Sequence, residues 1–319
     1  MLTHWQGALA IAALLGISLL AAGYVYERVG ERRDALRNPA PGRLISVGDH
    51  RLHLLCRGSV GPSVVIEQGA GEPARLWWPI QDQVAEFASV CTYDRAGYGW
   101  SEPAAPGRTI DQRALELHTL LANSGLEAPY ILVAHSYGGM IVRSFARTYP
   151  DQTAGLVLVD TPDNATMYQP DTLKFYGRFR YVSGVIETAA RFGLLRVLSH
   201  WIPLDRYGFP FVRPGEYAAG ADDIQSILHA DDSIRQSLAP GIFGNMPVAV
   251  LTHGQPFPGP FAVLENDWSN GQTRLAAMSS NSYLEVAAKS NHMINHDEPA
   301  LVINAIRRVH SAARNHTPV

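Results

Sequence analysis

The chain has 319 residues, 46% of them hydrophobic, and a formal net charge of −3. That length and apolar content suit one α/β domain carrying an insertion, or two small domains, around a substantial core. The near balance of 26 Lys and Arg against 29 Asp and Glu leaves no basic footprint for nucleic acid, and no internal repeat or long low-complexity tract is present.

From Trp5 to Tyr26 there is no charged residue, and Ala, Leu, Ile and Gly dominate. About 20 such residues cross a bilayer as a helix. Trp5 at one end and Tyr24 and Tyr26 at the other stand where interfacial aromatics belong. The alternative is a cleaved signal peptide. Ala21-Ala22-Gly23 offers a cleavage site, but no basic n-region precedes the apolar run. The expectation is an uncleaved single-pass anchor, with the membrane as a partner. Arg28, Arg32, Arg33 and Arg37 follow the span and no Lys or Arg precedes it, so the positive-inside rule puts the following domain in the cytoplasm. A polar linker closes this part, giving an anchor-and-linker segment over 1–41.

Arg43 to Val47 and Arg51 to Arg57 read as strands joined by a turn at Gly48-Asp49. Ser63 to Glu67 is a third strand ending in Gln68-Gly69-Ala70-Gly71. A phosphate-binding P-loop would also need Gly-Lys-Ser/Thr, which is absent. The better reading is a loop whose backbone N–H groups face an anion, as an oxyanion hole requires. Trp77 to Phe87 is amphipathic and helical, and Ser89 to Tyr93 is a fourth strand. Thr109 and Gln112 form a capping box for a helix that stops at Gly125.

Tyr130 to His135 is a short apolar run, a buried strand, and a helical pattern resumes at Met140. Between them lies Ala134-His135-Ser136-Tyr137-Gly138. A serine on a sharp strand-to-helix turn, flanked by small residues, is the nucleophile elbow written G-x-S-x-G, here with alanine for the first glycine. The bland alternative is a plain strand–turn–helix with a surface serine.

Two further stretches accompany the elbow. Asp94-Arg95-Ala96-Gly97-Tyr98-Gly99-Trp100-Ser101 resembles a glycine-rich loop of α/β-fold hydrolases. Asn291-His292 through Glu298-Pro299 resembles their G-H-x-x-x-x-E-x-P segment, with Asn291 for the glycine and one residue fewer after Glu298. On these three patterns, in this order, the chain resembles the α/β-hydrolase superfamily, in the broad branch of haloalkane dehalogenase-like and proline iminopeptidase-like enzymes. The resemblance implies a mostly parallel central sheet flanked by helices, with an inserted helical lid, here preceded by one N-terminal transmembrane helix. It implies a core over 42–160 and 247–319 and a lid over 161–246.

Within that insertion, strand alternation gives way to helical stripes. Phe192, Trp201-Ile202-Pro203 and Phe209-Pro210-Phe211 make it aromatic-rich. The stripes serve a lid core or an apolar substrate pocket. Lys174, Arg178, Arg180, Arg191 and Arg196 interleave with them in a way that suits lipid headgroups. Pro247 to Thr252 and Ser282 to Ala287 are the last strands, with a helix from Trp268 to Met278 between them and another after Pro299.

A serine hydroxyl needs a base, and the base needs a carboxylate to fix its tautomer. By the resemblance Ser136 is the nucleophile and His292 the base. His253 and His296 are competitors, and His135 is expected to point away from the hydroxyl. The acid is Asp160, at the end of the Gly155 to Val159 strand, or Asp267, with Glu265 nearby. A strand end holds a carboxylate more rigidly than a long loop, which favours Asp160; otherwise Asp160 is a turn former and Asp267 a helix N-cap. The N–H groups of Tyr137 and Ala70 are the expected oxyanion donors. No metal or cofactor is expected: His292 and His296 lack the intervening glutamate of a zinc motif.

The expected activity is hydrolysis of ester-like bonds in a small or lipidic substrate through an acyl-enzyme. Serine at the elbow argues against dehalogenase and epoxide hydrolase chemistry. The alternatives are an aminopeptidase, for which Glu216, Asp222 or Asp223 would hold the substrate amine, and a non-catalytic binding protein of this fold. Cys56 and Cys91, the only cysteines, fall on strands that are sheet neighbours in the resembling fold. Two buried free thiols are expected; a bridge would imply an oxidising compartment and contradict the arginine asymmetry.

Overall fold

The computed structural model describes residues 4–202, 213–230 and 239–319. Phe209-Pro210-Phe211 and Pro203 lie outside the described residues. The strands are β1 (Arg43–Ser46), β2 (Arg51–Arg57), β3 (Val64–Glu67), β4 (Val90–Tyr93), β5 (Tyr130–His135), β6 (Thr153–Val159), β7 (Val248–His253) and β8 (Ser282–Ala287). They form one sheet in the order β1-β2-β4-β3-β5-β6-β7-β8. The β1–β2 and β2–β4 pairs are antiparallel and the remaining pairs parallel. The α-helices among the described residues are α1 (His4–Arg37), α2 (Trp78–Val84), α3 (Ile110–Ser124), α4 (Gly138–Thr148), α5 (Asn164–Met167), α6 (Pro170–Arg191), α7 (Leu194–Leu198), α8 (Pro214–Leu228), α9 (Trp268–Ala276), α10 (Ile294–Asp297) and α11 (Pro299–Asn315).

The central strands are apolar on both faces because helices cover both, as parallel sheets require. Val65, Leu132, Leu156 and Val250 point to one side, where they pack with Leu117 and Leu121 of α3 and Phe145 of α4. Their neighbours in sequence, Val64, Ile131, Val157 and Leu251, point to the other, against Ile80 of α2 and Ile306 of α11. The period of two along each strand thus builds a three-layer α/β/α sandwich, the α/β-hydrolase fold.

Local signals set the element ends. Thr109 and Gln112 close a reciprocal capping box, and α3 ends at Gly125 in the left-handed region, φ 81°. Asp267 precedes α9 but its side chain makes no cap hydrogen bond. It holds the expected N-cap position, but with φ 65° there its carboxylate takes a 2.6 Å bond from Arg274 instead of capping the helix.

Cys56 and Cys91 are joined in a disulfide, against the expectation of free thiols. The two residues are directly opposed partners in the antiparallel β2–β4 register. Opposed residues share a sheet face, and their Cβ atoms lie within reach of a bridge.

Between β6 and β7 the described residues are helical. Arg95, Arg113 and Tyr98 of the core hold α8 down through Asp223. The α6 helix packs outside α8, and α7 turns back beside α1 after Gly193, φ 74°. One helix among the described residues, Trp5–Arg37, is long and apolar enough to cross a membrane by length and composition.

Candidate active site

The loops that leave the C-terminal ends of the parallel strands converge on one edge of the sheet, where ligands of open α/β sheets bind. Strand order reverses between β3 and β5, so the Gly69-Ala70-Gly71 loop and Ser136 meet at that switch point. Ser136 sits at φ 50°, a left-handed conformation that projects its side chain from the turn. The tight turn requires small residues behind it. A Cβ on Gly138 would lie 2.6 Å from the carbonyl oxygen of Gln68, and one on Gly139 would collide with Thr161.

His292 Nε2 lies 2.9 Å from Ser136 Oγ, and His292 Nδ1 lies 2.7 Å from Asp160 Oδ2. Asp160 is fully buried, at φ 46°, and its N–H is tied to Leu251 O at 2.7 Å. Asp267 faces Arg274, on the outer side of α9, and His296 is exposed.

The same carboxylate serves a second imidazole. His253, the last residue of β7, places Nδ1 2.8 Å from Asp160 Oδ2, and its backbone N–H donates to Oδ1 at 3.1 Å. Trp268 Nε1–H donates to Oδ1 at 3.1 Å. His253 Nε2 faces Glu265 Oε2 at 3.3 Å. His253 is therefore a neighbour of the acid, and it does not contact the serine. Burial opposes ionisation of Asp160, but the bonds from His253 and His292 prevail and hold its pKa well below the ordinary carboxylate range. Burial also disfavours the charged form of His253, yet Asp160 and Glu265 outweigh it and raise its pKa.

His135 points away from the hydroxyl and supports the base from behind. Its Nε2–H donates to the carbonyl of His292 at 2.9 Å, and Nδ1 faces Glu72 Oε1 at 2.9 Å. Burial works against both charges of this pair, but each stabilises the other: Glu72 falls to a pKa of about 2 and that of His135 rises. Burial is the main cause that lowers the pKa of His292, and the nearby His135 cation lowers it further against the pull of Asp160. A base with a depressed pKa is neutral, and able to accept a proton, at neutral pH.

Glu72 also accepts from the N–H of Gly69 at 3.0 Å, and Gly71 N–H donates to Tyr98 Oη at 3.0 Å. The carbonyls of Gln68 and Gly69 each accept from Arg95 at 2.7 Å. The loop is thus pinned on either side of Ala70, and among the described residues neither Ala70 N–H nor Tyr137 N–H donates to a protein acceptor.

Three acidic residues of α8 are engaged internally. Glu216 pairs with Arg75 at 3.3 Å, Asp222 with Arg113 at 2.7 Å, and Asp223 with both Arg95 at 2.8 Å and Arg113 at 3.0 Å. None is left to hold a substrate amine. Beside His292 the wall is aromatic. The Phe257 and Trp268 rings lie 5.1 and 6.0 Å from the His292 ring, and Phe175 of α6 packs against them. From Phe175 this wall continues to Phe179 and Phe261, which line a cavity of about 640 Å³ with Lys174 and Arg178 at its edge.

Sequence reasoning missed the roles of Glu72, His253, Trp268 and Asp223. The one available signal was the position of His253, at a strand end on the same sheet edge as Asp160.

Fold and site together define an α/β-hydrolase-fold protein. A family model, alpha/beta hydrolase fold, matches residues 62–201. The uncharacterized protein YqjL of Bacillus subtilis (strain 168) is 28% identical over 257 residues, 81% of this chain and 87% of YqjL. Lipase LipV of Mycobacterium tuberculosis is 37% identical over 110 residues, 34% of this chain and 41% of LipV. The structure of a thermophilic esterase from Thermogutta terrifontis superposes with a TM-score of 0.58 at 23% identity, over 84% of this chain and 98% of the esterase.

Proposed function

We propose that this protein is a membrane-anchored serine hydrolase that cleaves ester bonds of apolar, acyl-bearing substrates. The observation that carries the reading is the continuous hydrogen-bonded chain Ser136–His292–Asp160 on one sheet edge. In this reading His292 Nε2 takes the proton of Ser136 Oγ as the oxygen attacks the acyl carbon. Asp160 accepts from Nδ1–H, which fixes the tautomer and stabilises the imidazolium. The oxyanion is held by the N–H groups of Tyr137 and Ala70. His292 then gives its proton to the leaving alcohol, and water repeats the cycle to release the acid.

The aromatic wall beside His292 supports an apolar substrate group, and the internal pairing of Glu216, Asp222 and Asp223 weighs against an aminopeptidase. The names of LipV and of the Thermogutta esterase are in keeping with ester hydrolysis. The apolar helix α1 is the anchor, retained rather than cleaved. The Cys56–Cys91 bridge supports a domain on the oxidising side of the membrane, which revises the cytoplasmic side expected from the arginines. Large domains cross a membrane with little regard to their charge, so four arginines beyond the span are a weak guide.

Ser136→Ala tests the chemistry. Alanine fits the small-residue turn, so the fold persists, while hydrolysis of p-nitrophenyl esters falls by a factor on the order of 10⁶ and labelling by a fluorophosphonate probe disappears. Labelling that survives in the folded variant would move the nucleophile elsewhere.

A further inference from the structure

The geometry points to the outer face of the lid, α6 and α7, as a surface seated in a phospholipid bilayer beside the last turns of α1. The inference rests on α1 spanning the membrane, and on nothing about the reaction. Two kinds of contact join lid and helix, and they change character at one level. Below Tyr26, within the uncharged segment, the contacts are close backbone approaches: a Cβ on Gly23 would collide with the carbonyl of Phe192, and one on Gly193 would lie 3.0 Å from the carbonyl of Gly23. Beyond Tyr26 they are ionic. Arg196 of α7 donates to both oxygens of the buried Glu27, at 2.9 and 2.8 Å, and to Asp34 at 2.7 Å. This also corrects the expectation that Arg196 meets headgroups. The contacts between α1 and the lid thus turn ionic where the charged residues of α1 begin.

If α1 crosses the bilayer, whatever packs beside Leu19 lies about 10 Å below Tyr26, at 1.5 Å per residue. Most lid side chains that share a cleft with Leu19 and Leu20 are apolar, and several are uncovered: Tyr181 is 75% exposed, Val185 55% and Leu194 51%. Together with Leu19, Leu20 and Gly23 of α1 they line an open cleft of about 1070 Å³. Such a surface is costly in water and favourable among acyl chains. Arg180 also lines the cleft, and its long apolar stem lets the guanidinium reach toward the phosphate headgroups. The aromatic cavity at Phe175 and Phe179 lies on the same helix, α6, so a lipid substrate would reach His292 from within the membrane.

The test uses the full chain in phosphatidylcholine–phosphatidylglycerol vesicles. With both native cysteines bridged, Val185→Cys carries a single environment-sensitive fluorophore, and Leu115→Cys on α3, 53% exposed, is the water-facing control. Acyl-chain spin-labelled lipids are expected to quench the probe at 185 about twofold or more beyond that at 115, with blue-shifted emission. Equal quenching at both sites, or none at 185, overturns the inference. Alkaline carbonate extraction of the same vesicles checks the span separately. Release of the protein sinks the anchor, whereas retention with an unquenched 185 sinks only the seated lid. Hydrolysis enters neither readout.

Discussion

At Asp160 a single carboxylate receives two imidazoles, an indole and a backbone N–H. Removing its charge should therefore do more than remove a hydrogen bond. Asp160→Asn keeps the shape but favours the wrong His292 tautomer, and kcat is expected to fall on the order of 10⁴-fold. Asp267→Asn loses only its partly exposed pair with Arg274, about 1 kcal/mol or less, with turnover nearly unchanged. Measuring kcat and Tm of both variants side by side decides between the two acids; a folded, active Asp160→Asn would sink the assignment. The pH profile follows from the base. His292 works when neutral and its pKa is lowered, mainly by burial, so kcat/KM rises with pH through that pKa, with the midpoint of the acid limb below the ordinary histidine value. His253→Gln removes a cation that shares Asp160, which raises the pKa of His292 and moves the acid limb to higher pH. An unmoved limb in the folded variant would count against coupling of the two histidines.

Among the elements, α8 joins lid to core through buried charge. Asp223 meets Arg95 and Arg113 with essentially no access to solvent, and Arg95 in turn holds the carbonyls of Gln68 and Gly69. Tyr137, whose N–H would face the oxyanion, sends its hydroxyl to Ser226 on the same helix at 2.6 Å. Seating of α8 and shape of the Gly69-Ala70-Gly71 loop are thus one mechanical unit. Asp223→Ala leaves Arg95 paired with Glu67 and Arg113 with Asp222 but removes the buried carboxylate between them, which costs about 3 kcal/mol and lowers Tm on the order of 10 °C. Because Arg95, which ties the loop, loses one of the two carboxylates that position it, kcat toward a small ester should fall as well, at temperatures where circular dichroism reports a folded protein. Normal kcat in that variant would separate loop from lid. Glu216 and Asp222 bind the same helix to Arg75 and Arg113, so Asp223→Ala keeps α8 partly attached.

For the whole molecule, the Cys56–Cys91 bridge closes a loop of 35 residues between antiparallel strands at the sheet's edge region. By chain entropy it contributes about 3–4 kcal/mol, and the double variant Cys56→Ser/Cys91→Ser should be destabilised by that order in urea. Alkylation of protein from native membranes, with and without reductant and read by intact mass, reports the bridge directly. Two thiols alkylated without reductant would return the domain to a reducing compartment. The same spectrum shows whether α1 is retained, since cleavage near Gly23 would remove the apolar part of its contact with the lid.

Patterns carried by neighbouring residues were legible in the sequence. The apolar run of α1, the capping box at Thr109, the strands of period two, the Ser136 elbow and the histidine loop each depend on side chains a few positions apart, where spacing alone reports geometry. Choosing between Asp160 and Asp267 required knowing which strand end faces His292, a distance across 132 residues of chain. The bridge had the same character: two cysteines on neighbouring strands become partners only when the register opposes them. Glu72, and the partners of His253 and Asp223, were not legible for a related reason, since a lone histidine or acid announces no partner. Tertiary structure alone decided these, because buried charge is stable only where folding brings a counter-charge or a donor to it, and that meeting is a property of the packed chain.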